Sequence, residues 1–169
     1  MSKKNQFALP ILCTAVVSAT GLVTFQAKAA DATGTVDGRI VAAASIMEEV
    51  SLSFGDIVAG SAASVVTIDA AGTTAVASGD AQVVGGNAVS GLFVFGGEVG
   101  KTIAFNVPGS VTLTNAGGQT MVFNPSLSNN SLTVAGSEAD MVKVVGSLNI
   151  GANQAVGTYT GTYTISANY

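Results

Sequence analysis

An all-β chain of short antiparallel strands, closed as a sandwich or a barrel, is what this sequence predicts, and three observations carry the prediction. The first is the closing stretch from Gly157 to Tyr169. Tyr159, Gly161, Tyr163, Ile165, Ala167 and Tyr169 fall on one side of an extended chain, and Thr158, Thr160, Thr162, Thr164, Ser166 and Asn168 fall on the other. Period-two alternation over thirteen residues describes a strand with one apolar and one hydroxylated face. A 3.6-residue period would scatter the tyrosines around a cylinder. The second observation is that turns rich in Gly, Asn and Pro separate short apolar runs at intervals of about ten residues. The third is that no stretch carries an amphipathic helical pattern. The turns recur without a constant period, which excludes a solenoid.

The N-terminus reads as an export signal. Lys3 and Lys4 precede an apolar stretch from Phe7 to Phe25, and Ala27-Lys28-Ala29 offers a small-x-small exit, so cleavage is expected after Ala29. Pro10, Ser18, Thr20 and Gly21 dilute the apolar run, which favours removal over a retained anchor. The single cysteine, Cys13, lies inside this segment. The remainder has no cysteine, histidine or tryptophan, so packing and sheet hydrogen bonds must hold it without disulfides. Its only cations are Arg39, Lys101 and Lys143, against all ten acids of the chain. That balance speaks against nucleic acid or anionic lipid as partner. About 140 residues suit one domain.

Taken in order, residues 31–35 form a small, polar leader. A second alternating run follows, with Val36, Gly38, Ile40, Ala42, Ala44 and Ile46 on one face and Asp37, Arg39, Val41, Ala43 and Ser45 on the other. Met47-Glu48-Glu49 is expected to interrupt it before Val50, Leu52 and Phe54 resume the alternation. Val65 to Asp69 and Thr74 to Ala77 predict a hairpin about Ala70-Ala71-Gly72-Thr73. Gln82 to Val84 and Ser90 to Phe95 read as two strands parted by Gly85-Gly86-Asn87, and Thr102 to Val107 as another. Val111 to Thr114 and Thr120 to Phe123 flank a hairpin turn at Asn115-Ala116-Gly117-Gly118, and Asn124 to Asn130 reads as a loop. Strands at Leu132 to Val134 and Met141 to Ile150 complete the set before the closing run.

Few residues offer chemistry. Gly97-Glu98-Val99-Gly100-Lys101-Thr102 ends like a phosphate-binding loop, but Phe95 stands where the motif needs its first glycine, and Ile103-Ala104-Phe105 continues as a strand. Without a helix N-terminus to hold phosphate, no nucleotide site is expected. A chain without histidine or cysteine lacks the usual bases, thiol nucleophile and transition-metal ligands, so no enzyme and no cofactor are expected. Adjacent Glu48 and Glu49 should point to opposite faces of a strand. Glu138 and Asp140 share a parity near a turn and could take calcium weakly, although loop charges that aid solubility explain them more simply. Tyr159 and Tyr163 could stack on a sugar, but aromatics on the apolar face of a strand are more often core. An outer-membrane barrel needs longer strands and aromatic girdles than a chain with 6% aromatic residues provides.

With these features the chain resembles subunits of pili assembled by the chaperone–usher route, in its cysteine-free branches. Gly157 and Tyr169 have the spacing of the glycine and near-terminal tyrosine in that group's closing strand, although Tyr169 is last where the group has its tyrosine penultimate. The lead-in Gly151-Ala152-Asn153-Gln154-Ala155-Val156-Gly157, the Tyr-x-Gly-x-Tyr repeat and Leu52-Ser53-Phe54-Gly55-Asp56-Ile57 are similar to an exported bacterial family known as domain of unknown function 4402. The pilus resemblance implies an immunoglobulin-like β-sandwich that lacks its last strand and is completed by an N-terminal donor strand from the next subunit. It assigns donation to Val36, Gly38, Ile40, Ala42, Ala44 and Ile46. It assigns recognition by a chaperone or partner to Gly157, Tyr159, Gly161, Tyr163, Ile165 and Tyr169. It further implies head-to-tail self-association, a periplasmic chaperone, an outer-membrane usher, and passage through the periplasm to a cell-surface fimbrium. On these terms residues 30–46 are an N-terminal extension and 47–169 the domain. Two alternatives stay open: the 36–46 run could be the first strand of its own sheet, and the protein could be a monomeric exported sandwich binding a glycan or protein.

Overall fold

In the computed structural model, residues 30–137 and 140–169 are described. The expected export signal and Glu138 lie outside them. The chain divides into two units, Met1–Gly38 and Arg39–Tyr169. Residues 30–38 of the first carry no regular secondary structure and are exposed throughout.

The second unit is an all-β antiparallel sandwich, with no helix among the described residues. Its strands are β1 (Ser45–Val50), β2 (Ser53–Val58), β3 (Ser64–Ile68), β4 (Thr74–Ser78), β5 (Gln82–Val89) and β6 (Gly91–Gly96). They are followed by β7 (Thr102–Asn106), β8 (Val111–Thr114), β9 (Thr120–Leu127), β10 (Ser131–Thr133), β11 (Met141–Ile150) and β12 (Ser166–Asn168). β1, β6, β11, β3 and β4 lie side by side in the main sheet, and β9 adds β8 to it through β11. A second, three-stranded sheet has the order β10-β7-β12, and β2 and β5 pair as a separate ribbon.

β11 is the strand on which the main sheet is built. It pairs with β6 through Met141–Val144, with β3 through Gly146–Ile150, and with β9 through Val144–Asn149. Because β3 and β9 share Gly146–Asn149, they must occupy opposite edges of β11. The sequence suits that position: Val142, Val144, Leu148 and Ile150 keep one parity and are all buried. Gly146 holds the same parity where an ordinary side chain has no room. It sits opposite Pro125 at φ 148°, and a Cβ there would collide with the Asn124 carbonyl oxygen. Proline cannot donate to a ladder, and the glycine lets the two backbones close around it.

Aromatic pairs join the layers. Phe95 of β6 meets Phe105 of β7 with ring centroids 4.9 Å apart, tying the main sheet to the three-stranded one. Phe54 of β2 meets Phe123 of β9 edge-on at 5.5 Å, tying the ribbon to the main sheet. Such geometry aligns the positive ring edge with the negative face. Short loops close on carboxylates and amides. Asp69 accepts the N–H groups of Ala71 and Thr73 in the β3–β4 turn, and Asn115 accepts that of Gln119 between β8 and β9. Asp80 receives Ser61 and Ala62.

Four sequence expectations need correction. Met47-Glu48-Glu49 does not break the first strand; β1 runs through it, with a bulge between Glu48 and Val50 that skips Glu49. Gly85-Gly86 is no turn but a kink inside β5, where Gly55 and Gly86, both at φ 74°, let the ribbon backbones cross closely. Asn124-Pro125 does not open a loop, since β9 continues to Leu127. The closing stretch is not one thirteen-residue strand: it forms a single bridge at Thr160 with Thr114 and then β12. Its parity survives nonetheless, with Ile165 buried and Tyr159, Tyr163 and Ala167 half-buried.

The loop before β11 explains Asp140. Its buried carboxylate accepts the N–H groups of Ala135 at 2.8 Å, Gly136 at 2.7 Å and Ser137 at 3.3 Å. With its oxygens so engaged, it serves as a loop clasp. The Ala135 N–H, followed by Gly136 and Ser137, holds the carboxyl below its usual 3.8, against the opposing effect of burial. A depressed folded pKa means that this stabilisation is present above pH 3.8 and is lost as pH falls. Asp140→Asn should therefore flatten the loss of thermal stability that calorimetry records as pH falls below 3.8. Gly146→Ala should lower unfolding free energy by about 1–3 kcal/mol in urea titrations.

Candidate functional site

Between the β2–β5 ribbon and the β8–β9–β11 part of the main sheet lies an open groove of about 1030 Å³. Leu52, Phe54 and Ile57 come from the ribbon side. Alternation in β2 turns Phe54 inward, and it is buried. Leu113, Met121, Phe123 and Leu148 come from the sheet side. The third wall is the chain from Asn153 to Gly161, with Tyr163 beyond it. The groove is thus apolar at its base and edged by backbone that no regular ladder occupies. Of the described residues, β2 and β5 pair with one another and no further strand, and β8 pairs with β9 plus the isolated Thr160 bridge. Free N–H and C=O groups beside an apolar channel are what an added strand requires.

The closing stretch supplies part of this wall. Tyr159 donates its hydroxyl to the Ala155 carbonyl at 2.7 Å and accepts from Gln154 Nε2 at 2.8 Å, which folds the 153–159 segment on itself. Gln154 also reaches the Thr120 carbonyl at 3.1 Å. Gly161 passes so close to β8 that a Cβ would stand 2.7 Å from the Thr112 carbonyl oxygen. The glycine is there for close approach.

Tyr163 sits deeper. Its ring packs on Phe93 and Phe123, with centroids 6.0 and 6.3 Å away. Its hydroxyl lies over Gly91, where a Cβ would be 2.9 Å from it, and it has no hydrogen-bond partner. Burial, with the Glu48 charge adding to it, pushes the phenol up to about 12. The ring's packing on Phe93 and Phe123 fits the core role expected of an aromatic on the apolar face.

The six candidate donor residues are not brought into one strand. Val36 and Ile40 are 99% exposed, residues 36–44 lie outside any strand, and Ile46 alone belongs to one. β1 is an edge strand paired to β6 only, so Ile46 and the partly buried Ala44 pack on the chain's own core. The candidate recognition residues also divide. Gly157, Tyr159, Gly161 and Tyr163 line the groove, Ile165 is in the core, and Tyr169 reaches the β6–β7 loop through its hydroxyl. Sequence reasoning missed the sheet side of the groove. Alternation in β8 and β9 marks Leu113, Met121 and Phe123 as facing one way, but not what lies opposite. Glu138, named with Asp140 as a calcium pair, lies outside the described residues. Among those residues no cluster of acids has the makings of a metal site.

The family model described as Domain of unknown function (DUF4402) matches residues 43–169, the whole of the sandwich from just before β1. The chain belongs to the DUF4402 family. No curated protein and no solved structure matches it. The match makes β1 part of the DUF4402 domain and leaves Val36 to Ala42 outside it.

Tyr163→Phe removes a buried hydroxyl that nothing satisfies, so it should raise the thermal midpoint, by about 1 kcal/mol of stability. Because the folded phenol titrates above the unfolded one, ionisation costs the fold stability as pH rises above 10 toward about 12. Tyr163→Phe should flatten that alkaline decline in a pH series of melting curves.

Proposed function

We propose that this protein is a non-enzymatic structural subunit of a bacterial surface filament, assembled by β-strand donation. The arm from Val36 to Ala44 of one copy lies in the groove of the next. One observation carries the reading: the same chain holds an apolar groove with unpaired strand edges and an apolar, alternating arm that no strand of its own takes up. An extended nine-residue arm spans about 30 Å. Taking Val36 and Ile40 from full exposure into the groove would contribute ~1.5–3 kcal/mol each.

Such a contact is heterologous and does not close, so it propagates as a filament. Before assembly the open groove would need cover, which is the part a periplasmic chaperone plays, with an outer-membrane usher as the site of exchange. The segment from Gly157 to Tyr163 at the groove wall is where that chaperone would register the subunit.

The test uses Val36→Asp with Ile40→Asp. Both residues are 99% exposed, so the double variant should melt with the wild type. Wild-type protein should give a ladder on an unboiled detergent gel, and the variant a single band. A ladder of wild-type length from the variant would reject strand donation.

A further inference from the structure

We propose that Tyr169 and Glu98 form a clamp that grips the arm at Ala42 and limits how much of it is free. The clamp takes hold of both backbone groups of one residue. The Tyr169 hydroxyl donates to the Ala42 carbonyl at 2.7 Å, while Glu98 Oε2 accepts the Ala42 N–H at 3.4 Å. The two jaws are bonded to each other, because the Glu98 N–H donates to the same Tyr169 oxygen at 2.7 Å. The other Glu98 oxygen, Oε1, pairs with Arg39 Nη2, so the grip extends three residues toward the N-terminus.

Gly97 is an independent sign that the fold makes room for this contact. Its backbone is not left-handed, so conformation does not demand glycine there. A Cβ at Gly97 would collide with the Tyr169 hydroxyl and stand 3.2 Å from Ile103 Cδ1. Any larger residue would displace the tyrosine. The clamp also explains why Tyr169, though half-exposed, has both its lone pair and its proton engaged.

The consequence for assembly rests on the strand-donation reading; the clamp itself does not. A strand laid in a neighbour's groove must turn alternate N–H and C=O groups toward that neighbour. While Tyr169 and Glu98 hold Ala42, both of its groups are taken. Donation through Ala42 and Ala44 therefore competes with the clamp. A closed clamp leaves only the stretch before Arg39 unrestrained, and an open one frees the register as far as β1. The clamp thus acts as an autoinhibitory contact on the arm.

Arg39 provides a readout that does not depend on assembly. Trypsin must bind several extended residues on either side of the bond it cuts, Ala42 among them, so cleavage after Arg39 requires the clamp to open. Tyr169→Phe removes the hydroxyl and keeps the ring, and Glu98→Ala removes the carboxylate. Each should speed cleavage after Arg39 by about two- to tenfold, the effect of losing one or two hydrogen bonds on a local opening equilibrium. Cleavage after Lys101 and Lys143 and the melting temperature should stay at wild-type values. Wild-type cleavage rates at Arg39 in both variants would overturn the clamp. The same variants should also assemble faster on the unboiled gel. Faster cleavage with unchanged assembly would leave the clamp in place and overturn its gating of assembly, whereas strand donation itself stands or falls with the Val36→Asp, Ile40→Asp variant.

Discussion

The three-way pairing of β11 is the constraint on which the rest of the structure depends. One ten-residue strand receives β6, β3 and β9, and its buried parity supplies Val142, Val144, Leu148 and Ile150 to the core. Neither Val142 nor Val144 exposes more than 1% of its surface. Three strands cannot share the two edges of one backbone unless two of them divide an edge between them, which is why β6 and β3 meet it at different ends. The close approach of β9 is possible because Gly146 faces Pro125, so the sheet turns at that point without losing the ladder on either side.

The groove follows from that arrangement. The β2–β5 ribbon pairs with no strand of the main sheet and leans on it through Phe54 and Phe123. The channel left between them is bordered by edges of β2, β5 and β8 to which no further strand of the described residues adds a ladder. The closing segment covers part of the opening and hands the chain on to β7, crossing from one sheet to the other between Thr160 and Ser166. A crossing chain cannot keep a ladder with both sheets at once. That is why the alternating run loses its regular hydrogen bonds while retaining its inward and outward faces.

The N-terminal arm and the C-terminal tyrosine converge on the β6–β7 loop. There a few polar contacts hold a stretch that has no packing of its own. Contacts of this kind open locally at far lower cost than the global fold, so the arm can come free while the sandwich stays shut. In the strand-donation proposal, a subunit would keep its core shut while its ends stay negotiable. The division between a buried β11 and a polar clamp gives the two regions different stabilities in one chain.

The sequence by itself determined the fold class, most strand positions and which side of each strand faces inward. β11 was legible to the residue, the β3–β4 and β8–β9 hairpins were legible from their turns, and the parity of Tyr159, Tyr163 and Ile165 was legible from alternation. These properties are local, fixed by the pleat and by turn chemistry within a few residues. Only the tertiary structure decided which edges pair: that Glu49 is bulged, that Gly85-Gly86 bends a strand, that Pro125 lies within one, and that Tyr169 reaches Ala42. Pairing is a competition among edges far apart in the chain. A period of two tells each edge which face is apolar, and tells none of them which partner it will meet.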